Sequence, residues 1–105
     1  MDAFADISEK LEDDVKANIQ TVCVDATSST VIPVNSEGVP LTKAIMWMDI
    51  RATEEANAIN MTNHEILKHC GGAVSPEFMI PKILWVQNNE PEIYNKADVF
   101  CEQLD

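Results

Sequence analysis

The feature that most constrains this chain is a change in the spacing of its apolar residues near residue 51. Short β-rich runs at residues 21–24, 30–34 and 44–47 precede that point and are typical of strands, and a turn at residues 35–38 separates the second run from the third. Beyond that point, apolar residues recur at the three- and four-residue steps of helices. A strand-rich half followed by a helix-rich half predicts an α/β fold in which the three runs are neighbours in one mixed sheet.

Helices are predicted on both sides of these runs. Residues 3–18 place Phe4, Ile7, Leu11 and Val15 on one stripe, which we expect to cover one face of the sheet. The sequence also predicts a helix from residue 51 and a strand at residues 98–101. A Thr62/Glu65 capping box predicts the start of a short helix, which Gly71-Gly72 ends. Ser75-Pro76-Glu77 and Glu90-Pro91-Glu92 predict the starts of two further helices.

Composition excludes some classes of partner. Seven Lys and Arg against 18 Asp and Glu give a net charge of −11, and no segment concentrates the positive charge that binds nucleic acid. The longest apolar stretch is far shorter than the roughly 18 to 20 residues that span a bilayer. We therefore predict no nucleic acid and no membrane partner. Three widely spaced cysteines fit reduced thiols, so we expect a cytoplasmic protein.

A metal centre is not predicted either. His64, His69 and Cys70 are the nearest to a ligand cluster, but five residues separate the two histidines, which places them on different helix faces. No neighbour that would activate a cysteine nucleophile can be placed from the sequence. We therefore assign no metal ligand and no catalytic residue to this chain.

Hydroxyl groups cluster after the first predicted strand. Thr27, Ser28 and Ser29 follow Asp25 there, a composition suited to hydrogen-bonding a polyol or a phosphate. The alternative is a Ser/Thr-rich hairpin turn with no ligand. A phosphate-binding hairpin is disfavoured, because Ala26 stands where close backbone approach to phosphate calls for glycine.

A second candidate cluster comprises Trp47, Asp49 and Arg51, at alternate positions where the third predicted strand ends. An aromatic ring with charged, bidentate groups suits a sugar. The alternative is a core tryptophan beside a surface ion pair. Glu77 is either a further ligand or an acid placed favourably in the first turn of a helix. Lys82 is interpreted as part of a solvated face.

Taken in order, several stretches resemble the N-terminal domain of the FGGY carbohydrate kinases over about residues 20 to 105. Among them, the patterns at residues 25–30 and 75–79 are most similar to ribulokinases. Glycerol kinases carry Arg-Glu in place of Thr27-Ser28, and xylulose kinases carry Met-His near Ser28 and Ser29. The stretches that carry the resemblance are VDATSST, EGVPL, AIMWMDIRA, GGAVSPEFM, PKILW and NEPE.

The resemblance implies a ribonuclease-H-like domain of the actin-like ATPase fold and an ATP-dependent kinase acting on a ketopentose such as ribulose. It implies that Trp47 packs against the sugar, that residues 27–29 line its hydroxyls, and that Glu77 accepts a hydrogen bond from it. Asp49 and Arg51 match the family's Trp-x-Asp-x-Arg signature and brace the wall or contact the sugar.

The resemblance also implies which parts are missing. We expect residues 1–105 to be part of the N-terminal domain, with no complete second domain, and to be inactive alone. The catalytic base and the sites for ATP and Mg²⁺ would belong to the parent enzyme, so this piece would bind neither. The expected partners are the sugar, the remainder of the kinase chain and a possible second copy. The rival hypothesis is a stand-alone acidic interaction module without catalysis.

Overall fold

The computed structural model describes residues 2–23 and 25–102, with the backbone alone for residues 2–4. Helices dominate, and one small sheet joins distant parts of the chain, which fits an α/β fold. Over the described ranges, no helix has the length and apolar character that would let it cross a membrane. The elements are α1 Asp2–Lys10, α2 Asp13–Asn18, β1 Ile32–Val34, α3 Thr53–Met61, a 3₁₀ helix Glu65–Cys70, α4 Met79–Asn89, α5 Pro91–Lys96 and β2 Val99–Cys101.

The sheet pairs β1 with β2 in antiparallel orientation, so that Ile32 lies opposite Cys101 and Val34 opposite Val99. Immediately before β1, Val31 and Ile45 exchange two backbone hydrogen bonds, each of 2.9 Å. The second and third predicted runs are therefore neighbours, as the turn between them requires. That turn is confirmed: Gly38 has a φ of 76°, a left-handed conformation that glycine adopts without steric cost.

Two of the three predicted strands need correction. The run at 44–47 contributes only the Ile45 bridge, because a turn follows at once, closed by the Asp49 N–H on the Met46 carbonyl at 3.0 Å. Residues 21–23 form no strand, since Val22 is exposed and gains nothing from burial. Val24 lies outside the described residues. The predicted mixed sheet is thus an antiparallel pair in the part of the chain described.

The core lies between the sheet and α4. Val31, Ile45 and Val86 are buried at its centre. Since α4 repeats apolar residues at helical spacing, one of its faces turns toward Val31 and Ile45. Around this centre pack the half-buried side chains of Met79, Ile83, Trp85, Ile93, Tyr94 and Phe100.

The predicted helix over residues 3–18 is two helices. Glu12 adopts an extended backbone conformation between α1 and α2, and two acids, Asp13 and Asp14, begin α2 where the helix dipole favours negative charge. Ile7 is 59% exposed, so the prediction that this stripe covers the sheet is wrong for Ile7. The side chain of Phe4 lies outside the described residues.

The positions of the later helices are predicted more accurately than the residues at which they begin. The helix expected from residue 51 is confirmed as α3, and α5 and β2 lie where expected. Gly71 ends the 3₁₀ helix in a left-handed conformation, also as predicted.

Two predicted helix starts are wrong. The Thr62/Glu65 capping box does not form, because the His64 ring accepts the Ile66 N–H at 3.2 Å and becomes the cap itself. The helix expected from Ser75 begins instead at Met79, after a turn closed by the Phe78 N–H on the Ser75 carbonyl.

Candidate functional site

A buried lysine organises the candidate site. Lys82 is completely buried, and its Nζ donates to the carbonyl oxygens of Ser29 at 2.8 Å, Met46 at 2.8 Å and Trp47 at 3.0 Å. An ammonium group has three donors, and here each one has an acceptor. The interpretation of Lys82 as part of a solvated face is therefore wrong. Lys82 lies one turn before Val86 on the buried side of α4, and this spacing is the sequence signal that indicates its burial.

Electrostatic interactions at Lys82 oppose one another. Burial lowers the pKa of Lys82, because removal from water disfavours the charged form. The carboxylates of Asp49 and Glu77 act in the opposite direction and raise it. Two of the predicted site acids therefore lie within electrostatic range of the same ammonium group.

Residues 27–29, here named the hydroxyl turn, are held from both sides. Ser29 has a φ of 68°, which is uncommon for a residue other than glycine. Its N–H donates to Glu102 Oε1 at 3.2 Å, and its carbonyl accepts from Lys82. The Ser28 hydroxyl also lies 3.4 Å from Glu102 Oε2. Glu102 follows β2 and carries no sequence signal for this role, which arises from a contact across more than 70 residues.

Asp49 and Arg51 form a close ion pair. Arg51 Nη2 lies 2.7 Å from Asp49 Oδ2, Arg51 Nε lies 3.0 Å from both carboxylate oxygens, and the Arg51 N–H donates to Oδ1 at 2.9 Å. The guanidinium carbon lies 4.7 Å from the ring centroid of Trp85. These hydrogen bonds lower the pKa of Asp49 and raise the pKa of Arg51. The alternative of an ion pair is thus observed, although both residues lie beyond a turn and not on a strand.

Trp47 and Glu77 both lie in turns. Trp47 is 42% exposed, so it is not the core tryptophan of the alternative interpretation. Glu77 is exposed and accepts the Ser75 hydroxyl at 2.7 Å. Because α4 begins only at Met79, Glu77 does not occupy its first turn.

Three of the predicted residues line two separate grooves. Ser28 and Ser29 line one of 410 Å³, and Arg51 lines another of 420 Å³. Neither groove is lined by Trp47 or Glu77. The hydroxyl turn and Trp47 are instead brought together through their carbonyls at Lys82. The first groove is also lined by Cys70, Val74, Phe78, Met79 and Ile80, and the second by Glu54, Glu55, Trp85, Asn88 and Asn89.

The combination of a hydroxyl turn, an exposed tryptophan and nearby acids is suited to a polyol. Over residues 1–104 the sequence matches the FGGY family of carbohydrate kinases, N-terminal domain, and the chain belongs to that family. The resemblance seen in the sequence is therefore confirmed.

Relatives of the chain carry kinase names. It is 37% identical to a human FGGY carbohydrate kinase domain-containing protein over 94% of this chain and 20% of that protein. It is 40% identical to a Staphylococcus epidermidis xylulose kinase over 67% of this chain and 14% of that protein. It is 32% identical to a Geobacillus thermodenitrificans ribulokinase over 85% of this chain and 18% of that protein. The chain thus spans a fifth or less of the length of these relatives.

A solved structure is also similar. The crystal structure of a xyloylose kinase from Brucella ovis superposes with a TM-score of 0.64 and 26% sequence identity, over 70% of this chain and 15% of the other. The similarity supports the assignment of this α/β arrangement to the kinase family.

Proposed function

We propose that this chain supplies the sugar-binding part of an ATP-dependent kinase that phosphorylates a ketopentose such as ribulose. Family membership supports a carbohydrate substrate. The observation that carries the proposal is the bridge from Lys82 to Ser29 and Trp47, because it joins a hydroxyl-rich turn to an exposed aromatic residue. Sugars need both, hydrogen-bonding groups for their hydroxyls and an apolar surface for their C–H faces.

Each predicted residue has a role in this proposal. Trp47 packs against the sugar, the hydroxyl turn hydrogen-bonds to it, and Glu77 accepts a hydrogen bond from one of its hydroxyls. Asp49 and Arg51 brace the wall, since both carboxylate oxygens of Asp49 accept hydrogen bonds from Arg51. The exposure of Trp47 and Glu77 supports these roles, because a ligand can reach both side chains.

The residue types of the hydroxyl turn favour ribulose over xylulose as the proposed substrate. Thr27, Ser28 and Ser29 are similar to the ribulokinase pattern and lack the Met-His pair of xylulose kinases. Relatives named for both sugars match the chain, so this choice remains a proposal. Comparing the two ketopentoses in one binding assay decides it.

The remaining machinery is proposed to lie outside residues 1–105. Over the described residues, no group of three His, Cys, Asp or Glu side chains is placed to hold a metal ion. We assign ATP, Mg²⁺ and the catalytic base to the parent enzyme, within a ribonuclease-H-like fold. The free thiols of Cys70 and Cys101 support a cytoplasmic location.

Enzyme assays test the proposal at two levels. The 105-residue chain should release no ADP from ATP when ribulose is added. In a full-length kinase that carries this domain, Trp47→Ala and Glu77→Gln should each cost about 1 to 3 kcal/mol of sugar binding, which raises KM for ribulose and leaves KM for ATP nearly unchanged.

Glu65→Gln is the matched control, since it neutralises an exposed acid at the start of the 3₁₀ helix. It should alter neither constant. If Trp47→Ala and Glu77→Gln raise KM for ATP and not for sugar, the assignment of these residues is wrong.

A further inference from the structure

We propose that Lys82 is a positioning residue, which holds the hydroxyl turn and Trp47 in the single arrangement that binds the sugar. The inference rests on the proposed function, because it concerns the same site. Lys82 is completely buried and so does not contact the sugar. It acts through the residues whose carbonyls it binds.

The first step of the argument is convergence. Ser29 and Trp47 are 18 positions apart in sequence, and Lys82 is another 35 positions along the chain. One nitrogen atom nevertheless lies 2.8 Å from the Ser29 carbonyl oxygen and 3.0 Å from the Trp47 carbonyl oxygen. These two oxygens cannot be farther apart than the sum of those distances. The backbones that carry the candidate ligands therefore meet at the ammonium group.

The second step concerns the hydroxyl turn. Ser29 has a left-handed backbone conformation, which is costly for a side chain with a Cβ and persists only when its surroundings fix it. The Glu102 carboxylate binds its N–H, and Lys82 binds its carbonyl. Loss of Lys82 would release one of the two constraints on the orientation of Ser29.

The third step concerns the Trp47 side. Two consecutive carbonyls, those of Met46 and Trp47, point toward the same Nζ, and the Met46 carbonyl also accepts the Asp49 N–H. Lys82 therefore fixes the turn from which Trp47 projects and which leads into the Asp49–Arg51 pair. An apolar side chain of similar length cannot replace these contacts, because it leaves the three carbonyls without this donor.

The test compares Lys82→Met with Val86→Ala in the 105-residue chain. Val86 lies one turn later on the same helix and is fully buried, so its truncation destabilises the core without touching the three carbonyls. Lys43→Met, at an exposed lysine, controls for the loss of charge. Ribulose affinity is measured by NMR titration at a temperature where melting curves show every variant folded.

Lys82→Met should weaken ribulose binding at least tenfold, whereas Val86→Ala and Lys43→Met should stay within about twofold of wild type. Equal weakening by Lys82→Met and Val86→Ala would show that Lys82 contributes stability alone, and unchanged affinity in Lys82→Met would also overturn the inference.

If Lys82→Met does not fold, Lys82→Gln retains two donors and should give an intermediate loss of ribulose affinity. If neither variant folds, ribulose should slow the exchange of the wild-type Lys82 ammonium protons with water, and unchanged exchange would contradict the inference.

A measurement made without sugar distinguishes a failure of this inference from a failure of the proposed function. The amide signals of residues 28, 29 and 47–49 should shift strongly in Lys82→Met and much less in Val86→Ala, because Val86 packs against Val31 and Ile45. If wild type binds no ketopentose but these shifts occur, the proposed sugar is wrong and the positioning by Lys82 stands. If only signals of α4 shift, the positioning itself is refuted.

Discussion

Residues 2–23 and residues 28–101 have similar apolar patterns but different environments. In the first region Ile7 is 59% exposed, and α2 has no buried residue. In the second region Val31 and Val86 are completely buried against the sheet and α4. The difference shows that an amphipathic stripe specifies which face would be buried, whereas a packing partner decides whether burial occurs.

The same comparison applies to the two regions' cavities. Ile7, Leu11, Ile19 and Val22 line a largely apolar groove of 290 Å³ beside α1 and α2. The groove of the second region combines Ser28 and Ser29 with apolar side chains. Hydroxyl groups beside apolar surface suit a sugar, so the proposed function belongs to the second region.

The largest expected effect is on stability and follows the loss of Lys82. Lys82→Met removes three hydrogen bonds made by a buried ammonium group and should lower the free energy of unfolding by about 3 kcal/mol. Urea denaturation monitored by circular dichroism measures it. An unchanged midpoint would mean that the second region does not depend on this lysine.

The next effect comes from the apolar core. Val86→Ala leaves a cavity beside Val31 and Ile45 and should cost about 2 kcal/mol. The same denaturation experiment applies, with Val15→Ala as the matched substitution at an exposed valine in α2. Equal losses from the two substitutions would remove the distinction between the regions.

A smaller effect depends on pH. Because Arg51 donates hydrogen bonds to it, Asp49 has a pKa below its usual 3.8. The ionised carboxylate therefore stabilises the fold above about pH 4, and this contribution is lost as the pH falls through the lowered pKa. The pair is partly exposed, so at most about 1 kcal/mol is involved.

Asp49→Asn should reduce the dependence of the unfolding free energy on pH below pH 5. Glu37→Gln, at an exposed acid in the turn at residues 35–38, is the control and should change that dependence less. An identical pH dependence in wild type and Asp49→Asn would contradict the role of the ion pair.

The smallest effect is expected in α1. Ile7→Ser replaces an exposed apolar side chain and should change the free energy of unfolding by less than about 0.5 kcal/mol. Differential scanning calorimetry checks it. A loss comparable to that of Val86→Ala would show that residues 2–23 belong to the same cooperative unit as the core.

Local signals predicted part of this fold. The turn at residues 35–38, the stop at Gly71 and the helices α3 and α5 depend on nearby residues, and all are observed. β2 also lies where expected, although its partner β1 is far away in sequence. The predicted strand at 21–24 is not formed over its described residues 21–23, and the run at 44–47 pairs only at Ile45. Prediction from β-rich composition alone therefore gave a larger sheet than the described residues form.

The candidate site was predictable to a similar extent. The Asp49–Arg51 pair is local and was anticipated as an alternative, whereas the contacts of Lys82 and Glu102 join segments more than 30 residues apart. A lysine among apolar positions of α4 was a usable signal for burial. Nothing near Glu102 in sequence indicated its contact with Ser29.

The most direct test of the account is a ribulose titration of the 105-residue chain followed by two-dimensional NMR. The account predicts shifts in the amides of residues 27–29, in the Trp47 indole N–H and in the Glu77 amide, with no change at Ile7 or Val22. Saturable shifts confined to the groove between Ile7 and Val22, or no shifts at any residue up to high ribulose concentration, would contradict the claim that the segments joined by Lys82 form the sugar-binding surface.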